Sequence, residues 1–396
     1  MHRVVSYMGT LTLALTWIVL AILGHRDPVP HGSLWKNEGQ TLRITGRIVE
    51  VRERTNGSRV IVEQSATQDR IAISIPLPFQ PRVGDSVNVQ CEVQRPQPFN
   101  NVRYDRYLAL QDVFAVCENA NIYEIRAHHI TSQSILLDAR GRMIQTLRHQ
   151  LPEPEAAFAS GLLFGGTHGL SNAWTERFRT TGTSHILAAS GYNVAVLSSI
   201  LFSILLGVGM HRWHAITTVL LCIPLYVILA GAESSLIRAG IMGMLLILFR
   251  HLGRTVVFLN VILFAAVVMA IPNPQIIWDD VGYQLSFAAV TGLVYLGPWV
   301  SARLQWIPNA LMLRESVVAT LSATIATTPI QFLTFGTIAV RGIFTNAVVL
   351  PIVPVAMMVS GVVVVLGELP LPTSVGLIAW IPLHGMLLVI QWSSTV

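Results

Sequence analysis

Apolar and polar residues follow two different rhythms along this chain. Residues 4–23 form an unbroken apolar run of about the 20 residues needed to cross a bilayer, with Arg3 just ahead of it. From residue 35 to 130 the pattern shortens to β-type runs separated by turn residues. Leu42, Ile44, Gly46 and Ile48 share one phase of a strand and Val49 and Val51 take the other, which predicts a bulge or sharp bend. Val60 with Val62, then Ile71, Ile73 and Ile75, then Val87, Val89, Cys91 and Val93 alternate with period two. A helical interlude at residues 102–110 precedes a last strand at 112–116, and five short strands with one helix before the last predict a small OB-type barrel. An amphipathic stretch at 135–151, carrying Arg140, Arg142 and Arg148, fits a helix on the membrane surface or a linker. Residues 155–166 and 172–178 are too short to span. Long apolar runs then recur at 184–209, 214–232, 235–249, 255–271, 281–299, 316–336, 343–366 and 375–392.

These patterns divide the chain into a transmembrane anchor (1–24), an all-β OB-like domain (35–130), amphipathic or interfacial linker helices (131–183) and a multi-span core (184–396). The predicted class is a polytopic α-helical membrane protein with a small extracytoplasmic β-domain. Composition agrees: 52% of residues are apolar and 12% charged, against about 25% charged in soluble proteins, which excludes a purely soluble globule. Leu23-Gly24-His25-Arg26 offers no small-x-small cleavage site, so the first run reads as an uncleaved anchor. Walking the spans from a cytoplasmic N-terminus puts Arg212, Arg250 with Arg254, and Arg303 with Arg314 on the cytoplasmic side and Arg341 outside. This predicts nine crossings of the plasma membrane with the barrel extracytoplasmic. The net charge of +5 is then largely a record of orientation. Cys91 and Cys117, the two cysteines of the β-region, are disulfide candidates in an exported domain, or else small core residues; Cys222 sits in a span.

The segment Thr183-Ser184-His185-Ile186-Leu187-Ala188-Ala189-Ser190-Gly191-Tyr192-Asn193-Val194 opens a long span with polar groups that need internal partners. It resembles the His-Leu-Leu-Ala-x-Ser-Gly-x-x-Val signature of the ComEC family of competence DNA-uptake channels. Gly231 to Met242 is similar to that family's Ser-x-x-Arg-Ala-x-x-Met span, Asp280 to Ala289 to its Gln-Leu-Ser-Phe-x-Ala segment, and Asn346 to Pro351 to its Asn-x-x-x-x-Pro segment. Phe99 to Ala115 resembles its Tyr-x-Arg-Tyr-Leu-Ala stretch. The resemblance implies a channel for single-stranded DNA across the cytoplasmic membrane during natural transformation. It also implies a DNA receptor on the outer side and a helicase or translocase on the cytoplasmic side, and leaves homo-oligomerisation open. Family members commonly continue into a metallo-β-lactamase-like domain, which this chain lacks after Val396, so it reads as a fragment or a short homologue.

Read for their own chemistry, these residues keep two meanings. Arg238 cannot lose its charge within a span and must find an acidic or carbonyl partner, with Glu233 and Asp280 as candidates, or a phosphate. His185, Ser190, Asn193, Gln284, Ser286 and Asn346 either line a conduction path or hydrogen-bond across packed helices. Pro329, Pro351 and Pro354 interrupt their helices and free carbonyls, which at membrane depth must face protein or a water-lined cavity. In the β-region, Arg103, Tyr104, Arg106 and Tyr107 are candidate DNA contacts, although twelve basic residues there are nearly balanced by eleven acidic ones. No metal cluster, Gly-rich phosphate loop or Cys-x-x-Cys pair is present, so no cofactor, metal site, nuclease or motor activity is expected. Two alternatives stand beside the channel: a transporter or exporter of another solute, and an intramembrane serine protease built on Ala188-Ala189-Ser190-Gly191, for which His185 lies at a poor helical offset and His251 at the cytoplasmic edge.

Overall fold

The computed structural model describes residues 2–28, 30, 33–54, 57–76, 79, 81–98, 103–118, 120–126, 132–167, 169–187, 191–232, 234–253, 257–308, 313–336, 342–367 and 374–395. Ser190, Glu233, Arg254, Arg341 and Phe99 therefore lie outside the described residues. The chain forms two compact units, a β unit of residues 23–138 with 273–280, and a helical unit of residues 1–22, 139–272 and 281–396.

The chain opens with helix α1 (His2–Gly24), then enters the sheet through a 3-10 turn at Leu34–Asn37. Six strands follow, β1 (Thr41–Arg54), β2 (Gly57–Gln64), β3 (Arg70–Pro76), β4 (Ser86–Glu92), β5 (Val113–Cys117) and β6 (Asn121–Arg126), with helix α2 (Tyr104–Ala109) before β5. Their order is β5-β3-β2-β1-β4-β6, antiparallel except for the parallel β3–β5 pair. A bridge between Gln94 and Val116 joins the end of the β4 segment back to β5, so the first five strands curl into a ring. The register of β1 slips between Ile48 and Glu50, where the sequence changes phase. Gly46 lies just before it, and a Cβ there would stand 2.4 Å from the Glu63 carbonyl oxygen, so only glycine allows β1 and β2 to cross this closely. Ile44, Ile48, Val60, Val62, Ile71, Ile73, Val87 and Val89 fill the interior. Ile61, Ala72 and Val116 face the other way and are covered by Leu108 of α2. The sixth strand departs from the five that the sequence predicts. Its apolar residues, Ile122 and Ile125, are three apart rather than two, because the β4–β6 register shifts between Asn88 and Val89.

The helical unit continues with α3 (Ser132–Gln150), α4 (Glu155–Phe164), α5 (Asn172–Thr180), α6 (Ser184–Leu187), α7 (Gly191–Gly207), α8 (Arg212–Leu229), α9 (Ser234–His251) and α10 (Phe258–Ala270). Then come α11 (Ile276–Asp279), whose residues belong to the β unit, α12 (Val281–Tyr295), α13 (Gly297–Arg303), α14 (Leu313–Phe335), α15 (Gly342–Val349), α16 (Val353–Leu366) and α17 (Ser374–Thr395). Among the described residues three helices are long and apolar enough to cross a membrane, or five if α12 with α13 and α15 with α16 each count as one span. This falls short of the nine crossings expected from the sequence, because several apolar runs form helices of 10–17 residues. The α12–α13 pair bends by 51° and the α15–α16 pair by 54°. Proline stands at the second break: Pro351 lies between α15 and α16 and Pro354 in the first turn of α16. Helix α17 shows why these segments suit lipid. Ala379, Leu383, Met386, Leu387 and Ile390 are buried at helical spacing, while Leu377, Ile378, Ile381 and Leu388 are exposed and equally apolar.

Two segments depart from their expected roles. The run 184–209 is divided, with α6 stopping at Leu187 and α7 starting at Gly191. Within the stretch 131–183, read as interfacial linkers, helix α4 lies inside the core of the helical unit. All ten residues of α4 are buried, Phe158 and Leu162 among the most enclosed side chains in the protein, and Leu147 of α3 joins them.

Candidate functional site

A ten-residue helix buried in an apolar core has a problem at each end, because its last carbonyls lack intrahelical donors and water is excluded. In α4 these carbonyls are met by side chains from three other helices. Asn193 of α7 donates its Nδ2 to the Leu162 carbonyl at 3.0 Å, and the Tyr226 hydroxyl of α8 donates to Leu163 at 2.9 Å. Arg140 of α3 donates to the carbonyls of Phe164 at 3.2 Å and Gly165 at 3.4 Å. Gly165 and Gly166 turn the chain away at φ 76° and 93°, conformations that favour glycine, and the Gly166 N–H then bonds the Leu187 carbonyl at 2.9 Å. At the other end Glu155, in the first turn, lies 2.6 Å from Nδ1 of His384, whose ring stacks on Trp380 at 4.4 Å. Tyr226, Glu155 and His384 were not singled out from the sequence, and Arg140 was read only as part of an amphipathic stretch. The signals for them were a carboxylate opening an apolar stretch and a histidine inside the last apolar run.

Of the candidate site residues named from the sequence, Asn193 touches this helix directly and the others fall elsewhere. Asn193 is 1% exposed and acts as the cap just described. His185 Nδ1 lies 2.9 Å from the Gly182 carbonyl oxygen. Gly342, one turn before Asn346, backs onto the same corner, where a Cβ would stand 3.5 Å from Gly182 Cα. His185 and Asn346 therefore belong to one neighbourhood, and Asn346 keeps a buried Oδ1 without a hydrogen-bond partner. Arg238 of α9 approaches the start of α7, with Nη2 3.7 Å from the place a Gly191 Cβ would occupy. Its guanidinium carbon sits 5.6 Å above the Phe287 ring of α12. The residue is 6% exposed, and Nε and Nη1 have no hydrogen-bond partner. Among the described residues it forms no ion pair within the helical unit. Asp280 is buried at the close of the segment 273–280 in the β unit, and Gln284 and Ser286 are half-buried on α12.

The candidate DNA contacts of the β unit have other partners. Arg103 pairs with Asp105 at 2.9 Å, and Tyr104 accepts a hydrogen bond from Arg59. Tyr107 stacks against Tyr104 at 6.2 Å. Arg106 is held by Asp27 and by Asp279, the latter at 3.5 Å. Burial pushes the Asp279 carboxyl above its usual range, with Arg106 acting against that. Tyr104 and Arg106 thus fasten α2 within its own unit. Cys91 and Cys117 are joined as a disulfide, and Cys222 is a free thiol. Among the described residues no group of three or more His, Cys, Asp or Glu could hold a metal ion.

Comparison with known proteins matches the helical unit. ComE operon protein 3 of Bacillus subtilis (strain 168) is 26% identical over 216 residues, which is 54% of this chain and 27% of that protein, so the match covers about a quarter of the relative's length. No solved structure matches the chain. The family model described as Competence protein matches residues 162–396, from the capped end of α4 through the Asn193, Arg238 and Asn346 neighbourhoods to α17. The chain belongs to the Competence protein family.

Proposed function

We propose that this protein conducts single-stranded DNA across the cytoplasmic membrane during competence, acting as a conduit rather than as an enzyme. The observation that carries this reading is Arg238, a permanently charged guanidinium buried in a lipid-embedded unit with two nitrogens unpartnered. An isolated buried charge is costly and is retained where an anion completes it. Phosphate groups of a passing strand are such anions, and guanidinium matches them bidentately. His185 and Asn346 add polar groups near Gly182. The β unit faces the exterior in this reading, with the N-terminus in the cytoplasm, and the Cys91–Cys117 bond suits that oxidising side. Its parallel β3–β5 pair and five-strand ring support reading it as an OB-type barrel, a fold used to hold single strands. A receptor would deliver DNA from outside, and a cytoplasmic helicase or translocase would supply the work.

The test is entry of labelled single strands into cells carrying Arg238→Gln at equal protein level. Loss of entry supports the reading. Normal entry, or a defect confined to another solute, would replace it with the transporter alternative.

A further inference from the structure

The β unit holds a cavity of about 210 Å³ whose lining includes Trp35, Phe114, Arg95, Asp105, Pro96 and Ala109. Trp35 belongs to the Leu34–Asn37 turn, which is fixed to the barrel from two sides. Leu34 is buried in the barrel core, and Asp69 accepts hydrogen bonds from the Ser33 N–H at 2.7 Å, the Ser33 hydroxyl at 3.0 Å and the Leu34 N–H at 3.2 Å. The indole is half-buried and carries two cations, Arg95 at 5.3 Å from the ring centroid and Lys36 at 5.8 Å. Phe114 comes from β5 and Asp105 from the first turn of α2, so three separate elements build the walls.

We infer that this cavity is a pocket for one unpaired nucleobase, resting on the reading of the chain as a carrier of single-stranded DNA. Its size suits a single planar ring system. The aromatic side chains offer apolar surface for stacking, which serves any base because every base has a π-face. Asp105 distinguishes bases, since a carboxylate accepts from the exocyclic amine of cytosine, adenine or guanine and repels the carbonyl that thymine presents instead. Burial would raise the Asp105 carboxyl, but hydrogen bonding and charge from Arg103 hold it below the usual range, so it is an acceptor at neutral pH. Arg95 supplies the neighbouring phosphate contact. It now pairs with Glu38 at 2.8 Å, but both side chains are half-exposed, and such a pair exchanges partners at little cost. Of the Arg103–Tyr107 stretch only Asp105 lines the pocket, and its carboxylate accepts from Arg103 at 2.9 and 3.2 Å. The pocket lies outside the residues matched by the family model.

The experiment measures anisotropy of short labelled oligo-dC and oligo-dT on the full chain in lipid nanodiscs. Oligo-dC should bind more tightly than oligo-dT, and a double-stranded competitor should not displace either. Trp35→Ala should weaken both by roughly 5- to 150-fold. Asp105→Asn should shrink the preference for dC. Arg95→Ala, at an exposed position that leaves the fold intact, should weaken both strands and reduce the salt dependence. Unchanged affinity in Arg95→Ala together with an unchanged dC preference in Asp105→Asn would overturn the pocket. Absence of any oligonucleotide binding would overturn it too, whereas the conduit reading stands or falls separately on DNA entry in Arg238→Gln.

Discussion

Asn193 gives the sharpest account of how the helical unit is held together. Its amide is the donor for the Leu162 carbonyl at 3.0 Å, and the usual intrahelical donor, the Gly166 N–H, is committed to Leu187 at 2.9 Å. Polar contacts in membranes average only about 0.6 kcal/mol, because the alternative state finds other partners. Here such partners are excluded by the commitment of Gly166 and by 1% exposure, so Asn193→Ala should cost about 2 kcal/mol, within the range for a stranded buried carbonyl. Asn193→Asp is nearly identical in shape and should be worse, about 3 kcal/mol or more at neutral pH, because it sets a carboxylate oxygen against a carbonyl oxygen in a dry site. Reversible denaturant unfolding of the full chain in mixed micelles measures both. An Asp variant as stable as the wild type, or an Ala variant less stable than Asp, would refute the cap.

Three further expectations follow from the β unit. Removing Arg106 strands Asp279, whose side chain is 6% exposed, so Arg106→Ala should destabilise by about 3 kcal/mol and the Arg106→Ala/Asp279→Asn double variant should recover much of it, as read by unfolding midpoints. Burial would raise Asp69, but the hydrogen bonds from Ser33, Leu34 and Thr67 hold it lower than its unfolded value near 3.8. Its stabilisation is thus complete above that value and lost as pH falls through the depressed folded-state value. Asp69→Asn should cost about 1 kcal/mol at neutral pH, and the gap to wild type should close in acid. Reducing Cys91–Cys117, whose sequence separation is 26, should lower stability by about 3.5 kcal/mol on loop entropy; an unfolding midpoint insensitive to reductant would count against it.

Features written in local spacing were legible in the sequence, and those that depend on distant partners were not. The phase change at Ile48 and Val49 announces the slip in β1, and the alternation of Val87, Val89 and Cys91 gives β4 its buried face. Helix α4 could not be read in this way. Its ten residues are too few for a span, and nothing nearby shows that Asn193, Tyr226 and Arg140 will supply the donors its end lacks. The partners of Arg106 and Tyr104 were hidden for the same reason. Both residue types suit nucleic acid, but Asp27, 79 positions from Arg106, and Arg59, 45 positions from Tyr104, claim them in the fold. Trp35 and Arg95 meet only because the chain returns to the same edge of the barrel after β4. Arg238 was legible because a charge inside an apolar run stands out wherever its partners lie.

The central claim is that Arg238 is kept for a passing anion and not for packing. Stability and DNA entry, measured together in Arg238→Gln and Arg238→Lys, separate these roles. A buried charge with no ion-pair partner among the described residues is a burden on the fold, so Arg238→Gln should be at least as stable as the wild type while entry of labelled single strands falls about tenfold or more. Arg238→Lys, which keeps the charge but not the fork, should restore part of the entry. Normal DNA entry in Arg238→Gln, or loss of entry accompanied by loss of the folded protein in both variants, would contradict the account.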